Sequence, residues 1–173
     1  MRFDVEPVDV DERRLPGETP DVYVGRLARA KADAVSAQPD TVVLAADTVV
    51  LVDDEVLGKP ADGEAARRML QQLAGRTHVV LSGVAISANG KSTLDLARTE
   101  VRFIPLTPQE IDWYVATGEP NGKAGAYAIQ GRASLFVERL VGSYTNVVGL
   151  PIEVVYQRLA ALGWSLRERS PSD

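Results

Sequence analysis

The chain has 173 residues, of which 45% are hydrophobic and 25% are charged, and these fractions are typical of one globular domain. Its formal net charge of −5 argues against a nucleic-acid binder, which needs a basic surface to neutralise backbone phosphates. The absence of cysteine excludes thiolate catalysis and Cys-based zinc sites. The acidic first six residues lack the apolar segment of a signal peptide, and no apolar run approaches the ~20 residues needed to cross a membrane. We therefore expect a cytoplasmic protein.

The first predicted elements are a helix, a buried strand and a hairpin. Thr19 can accept a hydrogen bond from a free helix amide, and Pro20 suits the first helical position. Residues 41–46 are apolar and rich in β-branched side chains, so they predict a buried strand that ends at Asp47. Apolar residues on both sides of residues 53–55 predict a short hairpin directly afterwards.

The rest of the chain contains stronger local signals. Asn89-Gly90 predicts a tight turn between two long strands, and the sequence from Thr107 to Glu110 is a capping box with proline at its first helical position. Gly75 suits the left-handed position after a helix. The predicted elements are helices over residues 62–73, 107–118 and 151–163, and strands over residues 77–87, 92–104 and 134–140.

This order of helices and strands predicts an α/β fold, in which a mixed β-sheet is flanked by helices. No internal repeat or change in composition marks a second core, so residues 1–166 are predicted to form one domain. The polar tail over residues 167–173 is expected to be disordered.

Asp47 is the first candidate functional residue. Aspartate is disfavoured inside strands, and a buried unpaired carboxylate would cost several kcal/mol, so Asp47 needs either the end of the strand or a cation. Open α/β sheets bind ligands beyond the carboxyl ends of their strands, which is where the predicted strand end places this side chain. The alternative is an aspartate that forms a turn or caps a loop.

Other charged residues matter only if the fold brings them to Asp47. Glu12, in the acidic segment before the first helix, would with Asp47 offer oxygen ligands suited to Mg²⁺ or Mn²⁺. Lys59, between Gly58 and Pro60, could contact a phosphate, and Lys31 lies beside the apolar stripe of the first helix. The alternatives are a solvated loop for Glu12, a solvated turn for Lys59 and a lysine that extends to water for Lys31.

Residues 121–131 form a glycine-rich loop whose amides could face a ligand. Gln130 in this loop offers both a donor and an acceptor, which suits recognition of a base edge, and its alternative is an exposed structural glutamine. His78 is the only histidine, and it is predicted to pack in its strand rather than act as a general base.

Eight motifs in one order resemble the Maf family of nucleoside triphosphate pyrophosphatases, and together they cover nearly the whole chain. The motifs are Asp9-Val10-Asp11-Glu12, Arg29-Ala30-Lys31-Ala32, Ala46-Asp47-Thr48, Leu57-Gly58-Lys59-Pro60, Gly75-Arg76-Thr77-His78, Lys123-Ala124-Gly125-Ala126-Tyr127, Ile129-Gln130-Gly131 and Asn146-Val147-Val148-Gly149-Leu150-Pro151.

This resemblance implies a fold like that of Maf and inosine triphosphatase proteins, and cleavage of a nucleoside triphosphate to its monophosphate and pyrophosphate with a divalent cation. It implies removal of non-standard or surplus nucleotides. The Ala-Asp-Thr and Ile-Gln-Gly motifs resemble the branch that acts on dTTP and UTP. The residues that the resemblance implies are Asp47 as general base and metal ligand, Glu12 as metal-site acid, Lys31 and Lys59 as phosphate contacts, and Thr48 and Gln130 as specificity residues.

Two alternatives stay open at this stage. One keeps the family but changes the substrate to 7-methyl-GTP or another modified nucleotide. The other is a catalytically weak nucleotide-binding regulator of septum formation, because family members usually begin with a Ser-x-Ser-Pro-Arg-Arg motif that Arg13-Arg14 does not reproduce. The oligomeric state is also open, with a homodimer as one alternative.

Overall fold

The structure is a computed structural model that describes residues 3–35 and 41–164. It contains a five-stranded sheet, five α-helices and two short 3-10 segments. The helices are α1 (Pro20–Asp33), α2 (Gly63–Leu73), α3 (Pro108–Ala116), α4 (Tyr144–Val148) and α5 (Ile152–Ala161), and the strands are β1 (Val42–Val52), β2 (Glu55–Leu57), β3 (Thr77–Ala88), β4 (Lys91–Phe103) and β5 (Val137–Val141).

The sheet has the order β2-β1-β3-β4-β5, and helices cover it, so the predicted α/β class is confirmed. The pairing differs from the mixed sheet that we expected, because each pair of neighbouring strands in the described part of the chain is antiparallel. β2 and β3, which α2 connects, do run in the same direction. They do not pair with each other because β1 lies between them.

The strongest local signals form the predicted structures. The Thr19 hydroxyl accepts a hydrogen bond from the Val22 amide at the start of α1, and the Thr107 capping box is complete at the start of α3. The β1–β2 turn has positive φ angles at both central residues, 47° at Asp53 and 65° at Asp54, as a tight hairpin requires. Each of these structures depends on contacts between residues that are close in sequence.

Two elements near the C-terminus differ from the prediction. Residues 134–140 do not form one strand, because a 3-10 segment (Arg132–Phe136) precedes β5. Helix α4 was missed because its five residues are too few for an apolar repeat, although the Ser143 hydroxyl caps its start. Residues 165–173, which include the predicted tail and the end of the predicted domain, lie outside the described residues.

β1 does not end at Asp47, which corrects the prediction for this strand. Asp47 lies in the middle of β1, opposite Gly83 of β3. On its other side, β1 pairs with β2 only over Val50, Leu51 and Val52, so the preceding residues of β1 have no described strand next to them on that edge. The expected ligand site beyond a strand end is therefore replaced by one at an open strand edge.

The two faces of the sheet pack against different helices. Val24 of α1 packs with Val49 and Leu51, whereas Val50 and Val52 pack in the larger core that includes α2 and α3. A third cluster packs α5 against β3 on that second side. No helix in the described ranges is long and apolar enough to span a membrane.

A close contact at Gly83 sets the position of α1 over the sheet. A Cβ atom at Gly83 would lie 2.5 Å from the Val24 carbonyl oxygen and 3.0 Å from the Gly25 nitrogen. Only a glycine therefore lets the backbone of α1 approach β3 this closely. Because Gly83 lies opposite Asp47, the same contact places α1 above the carboxylate.

We predict that Gly83→Ala lowers the free energy of unfolding by about 1–3 kcal/mol, because the added methyl group must push α1 away from the sheet. Urea unfolding measures this change. Gly58→Ala is the matched control, since a Cβ atom there meets no atom within 4 Å. Equal stability of the Gly83 variant and the wild type would contradict the close-contact interpretation.

Candidate active site

Lys31 joins two carboxylates at the centre of the site. Its Nζ lies 2.6 Å from Asp47 Oδ1 and 2.7 Å from Glu12 Oε1. The Lys31 side chain is 20% exposed and that of Asp47 is 12% exposed, so this lysine does not simply extend to water. Glu12 and Asp47 therefore converge, as the predicted metal site required, but both bind the Lys31 ammonium group in this structure.

The pKa shifts of Asp47, Glu12 and Lys31 follow from how deeply each group is buried and from the ion pairs among them. Burial raises the pKa of Asp47, and the hydrogen bond and charge of Lys31 offset only part of this effect. The hydrogen bond from Lys31 lowers the pKa of Glu12, which is the more exposed acid. Burial alone would lower the pKa of Lys31, but the two carboxylates outweigh it and raise that pKa. A buried carboxylate with a raised pKa is the better proton acceptor of the two.

We predict that Lys31→Met raises the pKa of Asp47 further, because the hydrogen bond and the charge that chiefly oppose the effect of burial are lost and only the weaker effect of Lys59 remains. A ¹³C-NMR titration of the Asp47 carboxyl carbon measures the change. Arg29→Met is the control, since it removes a positive charge from an exposed position of the same helix. An unchanged or lowered pKa of Asp47 in the Lys31 variant would contradict the assigned pairing.

Thr48 lies on the opposite face of β1 from Asp47, because neighbouring residues of a strand point to opposite sides. Its hydroxyl lies 2.7 Å from the Ser82 hydroxyl and donates a hydrogen bond of 3.3 Å to the Gly149 carbonyl. The turn that contains Gly149 is held by Asn146, a fully buried residue whose side-chain amide contacts β3 and β4. Thr48 is thus part of a fixed polar network.

A cavity of about 330 Å³ spans the open edge of β1 and reaches both faces of the sheet. Its lining contains the predicted site residues from both sides together with the glycine-rich loop, and Glu12 reaches this group through Lys31. The candidate residues that line the cavity are Lys31, Asp47, Thr48, Lys59 and Gln130.

The glycine-rich loop is held at three points, by the loop after β2, by α3 and by β3. The Gly125 amide donates to the Gly58 carbonyl at 3.0 Å, and the Ala128 amide donates to the Tyr114 hydroxyl at 3.0 Å. The Tyr127 hydroxyl lies 2.9 Å from His78 Nε2, in the interior of the protein. His78 therefore packs in the core, as predicted, and it also fixes the loop that contains Gln130.

Burial lowers the pKa of His78 from 6.5 to about 4, so its charged form is disfavoured in the folded protein. Between these two pH values the unfolded chain binds a proton that the folded protein does not, and stability falls as the pH is lowered. At ~1.4 kcal/mol per pKa unit, the loss across this window approaches about 3 kcal/mol.

We predict that His78→Gln removes this part of the pH dependence, because glutamine keeps a hydrogen-bond donor for Tyr127 but does not titrate. Urea unfolding of both proteins at several pH values between 4 and 7 tests this. If the two proteins lose stability equally as the pH falls, the histidine is not the cause.

Some residues of the site were not singled out from the sequence. Lys123 lines the cavity from a glycine-flanked position, which is the same signal that drew attention to Lys59. Ser82 and Gly149 belong to the site because they form hydrogen bonds with Thr48, which is far from both in the sequence. Gly149 lies in the last of the eight motifs, but the motif does not mark its carbonyl as a site group, since every residue has one.

The residues suit a divalent cation only when a ligand supplies further oxygens. Within residues 3–35 and 41–164, no three acids, histidines or cysteines are grouped so that they could hold a metal by themselves. Glu12 and Asp47 do converge on one cation, the Lys31 ammonium. Mg²⁺ is commonly bound by one or two carboxylates together with substrate phosphates. The site thus fits a cation that binds together with a phosphorylated ligand.

The fold and the cavity define a class of protein, an α/β protein whose lysine-rich cavity suits an anionic small molecule. A family model described as Maf-like protein matches residues 1–162. The chain belongs to the Maf family, so the resemblance indicated by the eight motifs is confirmed.

Individual relatives agree with this assignment over almost the whole chain. A dTTP/UTP pyrophosphatase of Anaeromyxobacter dehalogenans (strain 2CP-C) is 52% identical, over 99% of this chain and 89% of the relative. A dTTP/UTP pyrophosphatase of Myxococcus xanthus (strain DK1622) is 47% identical, over 98% of this chain and 87% of the relative. One of Aromatoleum aromaticum is 47% identical, over 91% of this chain and 80% of the relative.

Proposed function

We propose that this protein is a nucleoside triphosphate pyrophosphatase that hydrolyses dTTP and UTP to the monophosphate and pyrophosphate. The observation that carries the proposal is the cavity at the open edge of β1. It joins the ion pair of Lys31 and Asp47 on one face of the sheet to the Thr48 hydroxyl and the Gly149 carbonyl on the other. The names of the relatives, which match nearly the whole chain, support the choice of substrates.

Asp47 is the proposed general base. It accepts a proton from a water molecule as the water oxygen attacks the α-phosphorus of the nucleotide. The bond between that phosphorus and the oxygen bridging to the β-phosphate breaks, and pyrophosphate leaves with the electron pair. Burial of Asp47 supports this role, because it raises the pKa of the carboxyl group and so strengthens it as a base.

The lysines are proposed to offset negative charge on the phosphates. Lys31 lies beside the proposed base, and Lys59 lines the same cavity. Ammonium groups that are already in position stabilise charge as it moves toward the leaving group. A divalent cation, held by Glu12 and Asp47 together with phosphate oxygens, would polarise the phosphate and make a bound water more acidic.

Gln130 and Thr48 are proposed to read the base. A glutamine amide can accept from the N3–H of thymine or uracil and donate to the neighbouring carbonyl. The same amide can also turn over and match cytosine, so Gln130 by itself does not exclude CTP. The Gly149 carbonyl can only accept a hydrogen bond and cannot reverse in this way, so it is suited to supply the discrimination, and the Thr48 hydroxyl holds it in place.

The proposal predicts pyrophosphate release from dTTP and UTP, measured with Mg²⁺ or Mn²⁺, and much slower release from CTP and 7-methyl-GTP. In Asp47→Asn the turnover number should fall by about 10²–10⁴-fold, the range that a general base contributes. Asp54→Asn is the matched control, because Asp54 lies in the β1–β2 turn, where asparagine tolerates the positive φ angle.

Three other outcomes would contradict parts of the proposed function. Near-normal turnover in a folded Asp47→Asn variant would exclude this residue as the base. Preference for 7-methyl-GTP would change the substrate. Tight binding of dTTP without release of pyrophosphate would instead indicate a nucleotide-binding regulator.

A further inference from the structure

A third lysine borders the cavity without an assigned role. Lys123 lies between Gly122 and Ala124 in the glycine-rich loop, and it lines the cavity together with Lys31 and Lys59. Its side chain is exposed. The sequence signal is the same as for Lys59, namely a lysine in a glycine-containing loop.

The three lysines differ in their partners. Lys31 is bound by the carboxylates of Glu12 and Asp47, which use its charge within the protein. Lys59 and Lys123 form no ion pair with any residue that the structure describes. Two unpaired ammonium groups at one cavity, in a chain with a net charge of −5, indicate a local site for an anion.

The loops that contain Lys59 and Lys123 are fixed to each other. The Gly125 amide donates to the Gly58 carbonyl, which joins the two loops one or two residues from each lysine. A Cβ atom at Gly125 would lie 2.8 Å from the Val50 side chain, so this loop also packs closely on β1. The fold therefore sets how far apart the backbones of the two lysines lie, while the ammonium group of Lys123 stays free to reach a ligand.

The backbone of Lys123 is ordered independently of its side chain. Its amide donates to the Pro120 carbonyl at 3.2 Å, and its carbonyl accepts from the Ala126 amide at 3.0 Å. The side chain forms no hydrogen bond or ion pair with another described residue. Removing the charge of Lys123 should therefore leave the loop and the stability unchanged.

We infer that Lys123 is a phosphate-binding residue, and that with Lys59 it holds the pyrophosphate end of the substrate. This inference rests on the proposed function for the identity of the substrate. Lys31 is held beside the proposed base and so lies near the α-phosphate, which leaves the two unpaired lysines for the β- and γ-phosphates. Charge moves toward those phosphates as the bond breaks, so a lysine there assists the departure of pyrophosphate.

The test measures binding of inorganic pyrophosphate in the presence of Mg²⁺ by titration calorimetry. We expect Lys123→Gln to weaken binding about tenfold, since one charge-assisted hydrogen bond is lost. Lys123→Arg should recover part of the affinity. Lys91→Gln is the matched control, because Lys91 begins β4, next to the β3–β4 turn, and does not line the cavity.

Two further measurements separate the possible explanations. Binding of dTMP should be the same in Lys123→Gln and the wild type, because the monophosphate lacks the two outer phosphates. A loss of dTMP binding without a loss of pyrophosphate binding would overturn the inference and place Lys123 at the base or sugar. Thermal unfolding should show equal stability, and a destabilised Lys123→Gln variant would contradict a role in binding alone.

The inference and the proposed function fail in different ways. If the wild type releases pyrophosphate from dTTP but Lys123→Gln binds pyrophosphate as tightly as the wild type, the inference is wrong and the function stands. If the wild type binds pyrophosphate through Lys123 but hydrolyses none of the nucleotides, the proposed function is wrong and the phosphate site stands.

Discussion

The rest of the site depends on one partly buried ion pair, between Asp47 in the middle of β1 and Lys31 on α1. A carboxylate that is 12% exposed cannot stay ionised at low cost without a cation nearby. Gly83 lets α1 approach the sheet closely enough for Lys31 to supply that cation. The pair in turn brings in Glu12, from a segment that forms no helix or strand of its own. A helix–sheet contact thus determines which charged groups meet at the cavity.

The open edge of β1 explains how one cavity can be lined by charged groups from one face of the sheet and by hydrogen-bonding groups from the other. In a strand that is paired on both sides, Asp47 and Thr48 would be separated by the sheet, because neighbouring side chains point to opposite faces. β2 pairs with only three residues of β1, so a ligand at the uncovered edge can contact both faces at once. The cluster of Lys31, Glu12 and Asp47 lies on the α1 side, and the hydroxyls of Thr48 and Ser82 with the Gly149 carbonyl lie on the other. A phosphorylated nucleotide, with a charged end and a hydrogen-bonding base, suits such a division.

Features that depend on neighbouring residues could be predicted well. The cap at Thr19, the turn at Asn89-Gly90 and the capping box of α3 each depend on groups within four positions of one another, so the sequence contains the whole interaction. The end of the first strand was predicted wrongly because the interaction that decides it joins residues far apart in the sequence. Aspartate is disfavoured in strands on average, but Lys31, sixteen residues away, makes Asp47 tolerable within β1. The prediction of a mixed sheet was wrong because the order of the strands is set by packing between distant segments.

The sequence by itself determined the α/β class, the family and the group of residues that meet at the cavity, since ordered motifs preserve residue types and spacing whatever the pairing of the strands. Only the tertiary structure decided that Asp47 lies within a strand, that Lys31 bridges two acids, and that Lys123 borders the cavity without a partner. These facts depend on distances between residues far apart in the chain. They follow from the close approach of α1 to β3 and of the glycine-rich loop to β1, which no local pattern encodes.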